Sequence, residues 1–271
     1  MNQFSHFLTA LLLTTMITLL LSAHTYAEQT NEELAKKTQN PLADLISVPF
    51  QNNLNFGLGP HNRAQNILNI QPVVPFHLTK DINLITRTIV PIIRQPDLTK
   101  DSGDTNGLGD INLSLFFSPA NSGQVILGFG PILQFPTATD EVLGTRKWSA
   151  GPTGVALTKQ GPWVIGAVGS QMWSYAGNND REKVSIASLQ YFINYNIKNG
   201  LYLVSSPTLT ANWEATSGNK WVIPFGGGVG KLWKVHKQPI NTQVQAFYNV
   251  QQTTFGPDWT LRVQVQFLFP K

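Results

Sequence analysis

The stretch that decides the fold is Trp259 to Lys271, which reads WTLRVQVQFLFPK. Leu, Val, Val, Phe and Phe occupy the odd positions from 261 to 269, whereas Arg262, Gln264 and Gln266 occupy even positions. This period of two predicts a β-strand with one apolar and one polar face. The polar face is either the solvated outside of a soluble sheet or the lumen of a barrel whose apolar face meets lipid.

The beginning of the chain resembles a secretory signal peptide. An apolar run from Phe7 to Ser22 is followed by Thr25 and Ala27, small residues at the positions that signal peptidase reads. We therefore predict that residues 1–27 are a signal peptide that directs export. The alternative is a retained membrane anchor, for which the run is short, because a spanning helix needs about 20 apolar residues.

The composition limits the classes of function. The chain has no cysteine, so disulfides and lipid-modified cysteine are excluded. Its net charge of +4 is small and its basic residues are scattered, which argues against a nucleic-acid partner in an exported protein. A mean hydropathy of −0.08 is typical of soluble proteins, but it is also expected of a membrane barrel, since alternation averages each strand to near neutral.

Residues 28–47 form a separate N-terminal segment in this interpretation. The stretch Asn31 to Lys37 has acidic residues first and basic residues last, as helices prefer, and Pro41 interrupts it. Leu42, Leu45 and Ile46 supply a small apolar face. The segment is predicted to lie outside the main sheet, as a loosely ordered leader, a lumen plug or a periplasmic docking helix.

Residues 48–271 read as strands separated by turn residues. Each strand is about 10 to 14 residues long, close to the 9–11 residues that a tilted strand needs to cross a bilayer. We predict an all-β fold, a single up-and-down antiparallel transmembrane barrel of about twelve strands. The predicted strands are 50–59, 65–76, 82–93, 108–117, 123–135, 148–157, 163–174, 184–196, 200–213, 221–233, 241–251 and 260–269.

The connections alternate in length, as expected when short periplasmic turns face long extracellular loops. The even-numbered connections are tight, at 79–81, 118–122, 159–162 and 198–200, with 234–240 as a longer exception. The odd-numbered connections are mostly longer and richer in charge, at 60–64, 94–107, 136–147, 178–183, 214–220 and 252–258.

Tryptophan placement also favours a membrane barrel. Indole rings prefer the membrane–water boundary, so a spanning barrel carries two aromatic belts. All seven tryptophans fall at predicted strand ends, namely Trp148, Trp163, Trp173, Trp213, Trp221, Trp233 and Trp259. Six prolines inside predicted strands oppose a regular barrel, and we expect β-bulges there: Pro72, Pro75, Pro91, Pro131, Pro207 and Pro224.

Glycine, proline and tryptophan recur in a distinctive pattern over about 48–271. The residues of this pattern are Gly128–Pro131, Pro136, Gly144, Lys147, Trp148, Gly151, Pro152, Trp163, Gly166, Trp173–Ser174, Trp221, Val222, Pro224, Gly226–Gly230, Lys231, Tyr248–Asn249, Trp259 and Phe267–Pro270. The pattern resembles a bacterial outer-membrane family that is named after the meta-pathway of phenol degradation and whose members are often labelled neuromedin U-like or transporters. The resemblance implies an outer-membrane barrel that carries small hydrophobic or aromatic molecules, and it defines no catalytic residues.

The parity of each strand predicts which side chains face the lumen. The candidates are mostly amides, and Arg87, Arg262 and Asp110 are expected to form ion pairs across the interior. They could line a polar channel, or they could hold together a filled barrel, because twelve strands lie between the eight that side chains can fill and the sixteen that leave a channel. The lumen candidates are Asn83, Arg87, Asp110, Asn112, Gln134, Gln245, Asn249, Arg262 and Gln264.

No motif for catalysis, metal binding or a cofactor was recognised. Asp101, Asp104 and Asp110 lie in a glycine-rich stretch, but their spacing does not match a calcium-binding loop. The sequence therefore predicts an outer-membrane channel in a Gram-negative envelope, with outer-membrane lipid, lipopolysaccharide and the barrel-assembly machinery as partners. The alternatives are a non-transporting structural barrel, a secreted soluble all-β binding protein and, less favoured, an envelope enzyme.

Overall fold

The strands close into a twelve-stranded antiparallel β-barrel, because the last strand pairs with the first along its length. Phe50 lies opposite Val265, and Leu54 lies opposite Leu261. The computed structural model describes residues 31–121 and 123–270. The all-β barrel predicted from the sequence is confirmed, whereas the predicted signal peptide lies outside the described residues.

Within those residues, the strands are divided into fifteen segments, preceded by one α-helix. The elements are α1 (Asn31–Thr38), β1 (Ile46–Leu58), β2 (Arg63–Ile70), β3 (Val73–His77), β4 (Ile82–Pro96), β5 (Asp104–Leu108), β6 (Ile111–Pro119), β7 (Val125–Phe135), β8 (Lys147–Gln160), β9 (Trp163–Gly177), β10 (Ser185–Asn196), a short 3-10 helix (Lys198–Gly200), β11 (Leu201–Ser205), β12 (Thr208–Asn212), β13 (Trp221–Val235), β14 (Gln238–Gln251) and β15 (Trp259–Phe269).

Three of the twelve barrel strands are each split into two segments. β2 and β3 both pair with β1 and β4, β5 and β6 both pair with β4, and β11 and β12 both pair with β10 and β13. Pro72 and Pro207 lie at two of these breaks, where a residue without an N–H costs no ladder bond. Pro224 follows a register shift in β13, as expected of a proline at a bulge.

The connections separate into a short-turn end and a long-loop end of the barrel. The predicted long connection at 234–240 is wrong, because β13 continues to Val235 and β14 begins at Gln238. His236 adopts a left-handed backbone (φ 56), the conformation that a two-residue hairpin turn requires. The five turns at this end are therefore all short, and the N-terminal segment enters the barrel at the same end.

The N-terminal segment packs at the short-turn end through two apolar clusters. Leu34, Ala35, Ala43 and Leu45 pack with wall residues Leu232 and Leu268 in one cluster. Leu42 enters the other, which is formed by the inward side chains Ile85, Phe116, Val155, Leu157, Val164 and Phe192. None of the helices in the described part of the chain is long and apolar enough to cross a membrane.

Candidate functional site: the barrel lumen

A cavity of about 560 Å³ occupies the lumen from mid-barrel toward the long-loop end. Strand alternation positions its lining, because every second side chain of each strand points inward. Amides and hydroxyls form most of the polar lining, and isoleucine and valine side chains form apolar patches between them. Arg87 of β4 and Arg262 of β15 are the charged residues among the side chains that line it.

Arg262 is buried and held by neutral groups. Its Nε donates to Asn53 Oδ1 at 2.8 Å, and its Nη1 donates to the Ser206 carbonyl oxygen at 2.8 Å. The guanidinium carbon lies 4.9 Å from the centre of the Phe247 ring, within the range of a cation–π contact. These contacts fix the guanidinium against the wall without neutralising its charge.

Arg87 lies in the same cavity and donates from Nη2 to Gln71 Oε1 at 2.6 Å. Gln71 follows β2 at the strand break and is itself buried. Neither Arg87 nor Arg262 takes part in an ion pair with any described carboxylate. The prediction that these arginines form ion pairs with Asp110 across the lumen is therefore wrong.

Asp110 instead fixes the loop 136–146 at the long-loop end. It accepts hydrogen bonds from the Thr145 backbone N–H at 2.6 Å, from the Thr145 hydroxyl at 2.8 Å and from the Ala138 backbone N–H at 3.2 Å. Gln134 supports the same contact by donating to Thr145 Oγ1 at 2.8 Å. The carboxylate of Asp110 therefore orders this loop, because hydrogen bonds from backbone N–H groups stabilise the charge as a cation would.

The other predicted lumen residues lie along the inner wall at different depths. Asn249 lines the cavity of about 560 Å³, which we call the larger cavity, and donates to the Pro257 carbonyl oxygen at 2.6 Å. Gln245 bonds to Ser206, and Gln264 lies further toward the short-turn end. Asn83 and Asn112 each have a buried side-chain oxygen without a hydrogen-bond partner. The structure thus brings Arg87, Asn249 and Arg262 to one cavity and places the other candidates elsewhere.

A smaller cavity of about 150 Å³ lies nearer the short-turn end of the lumen, against the N-terminal segment. Gln39 exchanges two side-chain hydrogen bonds with Asn196, at 2.9 and 3.0 Å. Lys36 Nζ donates to the Gly161 carbonyl oxygen at 2.8 Å, and Asp44 lies 3.2 Å from His77 Nε2. Residues 31–45 therefore contact the wall around the short-turn mouth and narrow the lumen there.

The acidic residues of the long loops do not converge on a common site. Asp104 pairs with Arg94 at 2.7 Å and with Arg63 at 3.3 Å. Asp97 accepts hydrogen bonds from the Thr99 backbone N–H and hydroxyl, which lower the pKa of its carboxyl group. No group of three or more potential metal ligands occurs among the described residues.

The predicted aromatic belt residues are all exposed on the outside of the barrel. The seven tryptophans lie at or near strand ends, and several contact a second ring. Phe56 stacks on Trp259 with centroids 4.2 Å apart, and Trp213 meets Trp221 edge-on at 5.5 Å. Between these rings the outer wall exposes many large apolar side chains, and an apolar surface of this extent is rare on soluble monomers and is typical of contact with a membrane or a partner.

Sequence reasoning missed the residues that hold the two arginines. These residues are Asn53, Gln71 and Ser206, which lie at inward positions or at strand breaks. Strand alternation, together with the pairing of β1 and β15, would have placed Asn53 beside Arg262. The pairing of Gln71 with Arg87 depends on the break at Pro72, for which the sequence offers only the proline itself.

Comparison with known proteins supports the fold. No family model matches the sequence, and no curated protein matches it. An outer membrane channel from Pseudomonas putida F1 superposes with a TM-score of 0.62 at 18% identity, covering 83% of this chain and 94% of that one. The NanC porin superposes with a TM-score of 0.52 at 10% identity, covering 83% of this chain and 100% of that one. The chain therefore shares its barrel fold with both structures.

Proposed function

We propose that the protein is an outer-membrane channel that passes small molecules through its lumen. The observation that carries the proposal is the reversal of polarity across one closed wall: exposed tryptophans and aliphatic side chains outside, amides and two arginines inside. A wall of this kind suits lipid on its outer face and water on its inner face. The similarity of fold to an outer membrane channel and to a porin supports it.

In this proposal the short-turn end faces the periplasm and the long loops face outward. The N-terminal segment then acts as a plug at the periplasmic mouth, because residues 31–45 contact the wall and Leu42 enters an apolar cluster of inward side chains. The family resemblance implies hydrophobic or aromatic solutes. The apolar patches of the larger cavity are compatible with such solutes, provided that they carry a polar group for the amides.

Fractionation of cells that express the full chain tests the proposal first. We expect the protein in the outer-membrane fraction, with a gel band that shifts on boiling because a closed barrel resists detergent until heated. The purified barrel should then conduct ions in a planar bilayer, with rare openings in the full chain and steady conductance once residues 31–43 are deleted. A soluble protein with an unshifted band would contradict the membrane location and support the secreted binding protein instead.

The main alternative is a barrel with a structural role in the envelope. It predicts the same gel shift but no conductance and no solute uptake into proteoliposomes, even after residues 31–43 are deleted. Conductance by the deletion variant would therefore separate a plugged channel from a structural barrel. A catalytic function gains no support from the arrangement of the described side chains, since the lumen residues are used for hydrogen bonds to the wall.

A further inference from the structure

The described lining of the larger cavity carries two positive charges and no negative charge. Among the described residues, its lining includes Arg87 and Arg262 but no aspartate or glutamate. The smaller cavity below it shares Arg87 and adds Lys37, again without an acidic residue. Buried charges are normally paired, so the lumen holds an excess of positive charge that a bound anion would neutralise.

Both guanidinium groups retain free donors. A guanidinium has five N–H groups. Arg262 gives two of its five to described residues and Arg87 gives one, which leaves three and four respectively. Bidentate hydrogen bonds from arginine to a carboxylate are among the strongest polar contacts in proteins. The acceptors Asn53 and Gln71 meanwhile hold the two side chains in place, which reduces the cost of ordering them on binding.

The wall around the arginines is apolar in part. Phe247 lies against the Arg262 guanidinium at 4.9 Å. The volume of the larger cavity, about 560 Å³, lies within the range of small-molecule sites, about 300 to 1,000 Å³. An anion as small as chloride would leave this apolar surface uncovered, whereas a larger solute would cover it. The aliphatic residues of the wall are Ile67, Ile89, Ile132, Val168 and Val222.

We propose that the lumen binds a small organic carboxylate, with the carboxylate between Arg87 and Arg262 and an apolar body against the aliphatic wall and Phe247. This proposal rests on the channel function proposed above and names the solute class of that channel. The site would lie on the permeation path, so the same arginines would make the open channel prefer anions to cations.

Calorimetry on the detergent-solubilised full chain tests binding with benzoate and with its neutral analogue benzamide. We expect benzoate to bind at least about tenfold more tightly than benzamide, because only the carboxylate forms charge-assisted hydrogen bonds. Arg262→Gln and Arg87→Gln should each weaken benzoate about tenfold. Neither substitution should change benzamide binding, and the gel shift on boiling verifies that each variant is folded.

Two further variants complete the series. Arg94→Gln removes the same charge from an exposed pair at the long-loop end, so benzoate binding should not change. Arg262→Lys keeps the charge but loses the bidentate geometry, so its affinity should fall between those of the wild type and Arg262→Gln. Equal affinities for benzoate and benzamide, or equal losses in Arg94→Gln and Arg262→Gln, would overturn the proposal.

The failure of this proposal can be distinguished from that of the channel function. Reversal potentials in a potassium chloride gradient should show anion preference, reduced in Arg262→Gln. A conducting barrel with cation preference and no benzoate binding would overturn the carboxylate site and leave the channel intact. A barrel that binds benzoate through the two arginines but never conducts would support the site and contradict only the channel function.

Discussion

The two ends of the barrel are held in place by different kinds of interaction. At the short-turn end, apolar side chains of residues 31–45 pack into the wall and bury Leu34, Leu42 and Leu45. At the long-loop end, loops are tied by polar contacts such as those of Asp110 with Thr145 and of Asp104 with Arg94. The larger cavity extends to the long-loop end, where Pro257 lines it. The smaller cavity is bounded by the N-terminal segment at the short-turn end.

This difference has consequences for function and for stability. Apolar packing depends little on salt, and it is lost as a unit when its contacts part. Hydrogen bonds and exposed ion pairs contribute less each, and water can replace them. We therefore infer that the N-terminal segment controls whether the lumen is open, while the loops only shape the outer mouth.

Deletion of residues 31–43 is expected to have the largest effect. It removes the helix and Leu42 from the short-turn mouth, so a channel that is closed or rarely open should become steadily conducting. Single-channel recording in planar bilayers measures the open fraction. Unchanged conductance in a deletion variant that still shifts on boiling would contradict a plug role for the segment.

A disulfide tether provides the matched control for the deletion. A Cβ placed on Gly200 lies 3.5 Å from Asn31 Cβ, within the range that a disulfide bridges. Gly200 has a left-handed backbone (φ 75), and the added Cβ would lie 3.1 Å from the Leu232 carbonyl oxygen, so the substitution is strained and the gel shift on boiling must verify that the variant is folded. Because the chain has no cysteine, Asn31→Cys with Gly200→Cys creates the only pair. The oxidised protein should stay closed, since the segment is then fixed at both ends. Reduction should restore the wild-type open fraction.

Leu42→Ala is the next largest change at the short-turn end. Leu42 is buried against Val155 and its neighbours, and truncation of a buried leucine costs about 2–5 kcal/mol. We expect a higher open fraction and faster proteolysis of the segment. Lys36→Ala is the control, because it removes only the exposed hydrogen bond to Gly161 and should cost less than about 1 kcal/mol. Equal effects of the two variants would contradict apolar closure.

The sequence predicts the barrel well because strand alternation is a local property. The period of two in Trp259–Phe269 is sufficient to assign Arg262 to the inner face and Val263 to the outer face. The turn at His236 was missed because no glycine or asparagine marks its left-handed backbone. The breaks at Pro72 and Pro207 were expected as irregularities, but their exact form depends on the neighbouring strands.

The lumen contacts are less predictable because they join distant parts of the chain. Arg262 and Asn53 are 209 positions apart, and they meet only because β15 closes against β1. Asp110 was expected to pair with arginine because opposite charges attract. It binds Thr145 instead, since a loop that folds inward supplies backbone donors nearer than either guanidinium. Parity therefore gives the face of a residue but not its partner.

Asp110→Asn tests the long-loop end. The amide keeps one acceptor oxygen but directs an N–H group toward the donors of Thr145 or Ala138, at a cost of about 1–3 kcal/mol. Amide hydrogen exchange at Thr145 and Ala138 should accelerate, while the open fraction of the channel should not change. Asp140→Asn is the control in the same loop: the Asp140 carboxylate accepts from the Val142 backbone N–H and not from Thr145 or Ala138, so those two amides should stay protected as in the wild type.

Salt is expected to have the smallest effect, and it should act mainly at the long-loop end, because the exposed contact of Asp44 with His77 contributes little at the short-turn end. Raising ionic strength from about 0.1 to 1 M shortens the screening length from about 10 to 3 Å. This weakens the pairs of Asp104 with Arg63 and Arg94 but leaves the packing of Leu42 and Leu45 unchanged. Exchange of amides in the loop 97–103 should accelerate by less than about fivefold, because surface ion pairs contribute little and the Asp104–Arg63 pair, which is largely covered, is screened less than the Asp104–Arg94 pair.

Asp104→Asn identifies the source of that salt effect. Without the carboxylate both ion pairs are lost, so exchange in the loop 97–103 should already be fast at low salt and should change little on adding more. Arg63 still donates to the carbonyl oxygens of Lys100 and Gly103, so the loop should remain ordered in the variant. If salt instead accelerated exchange at Ala43 and Leu45, electrostatic contacts would hold the plug, and the contrast between the two ends would fail.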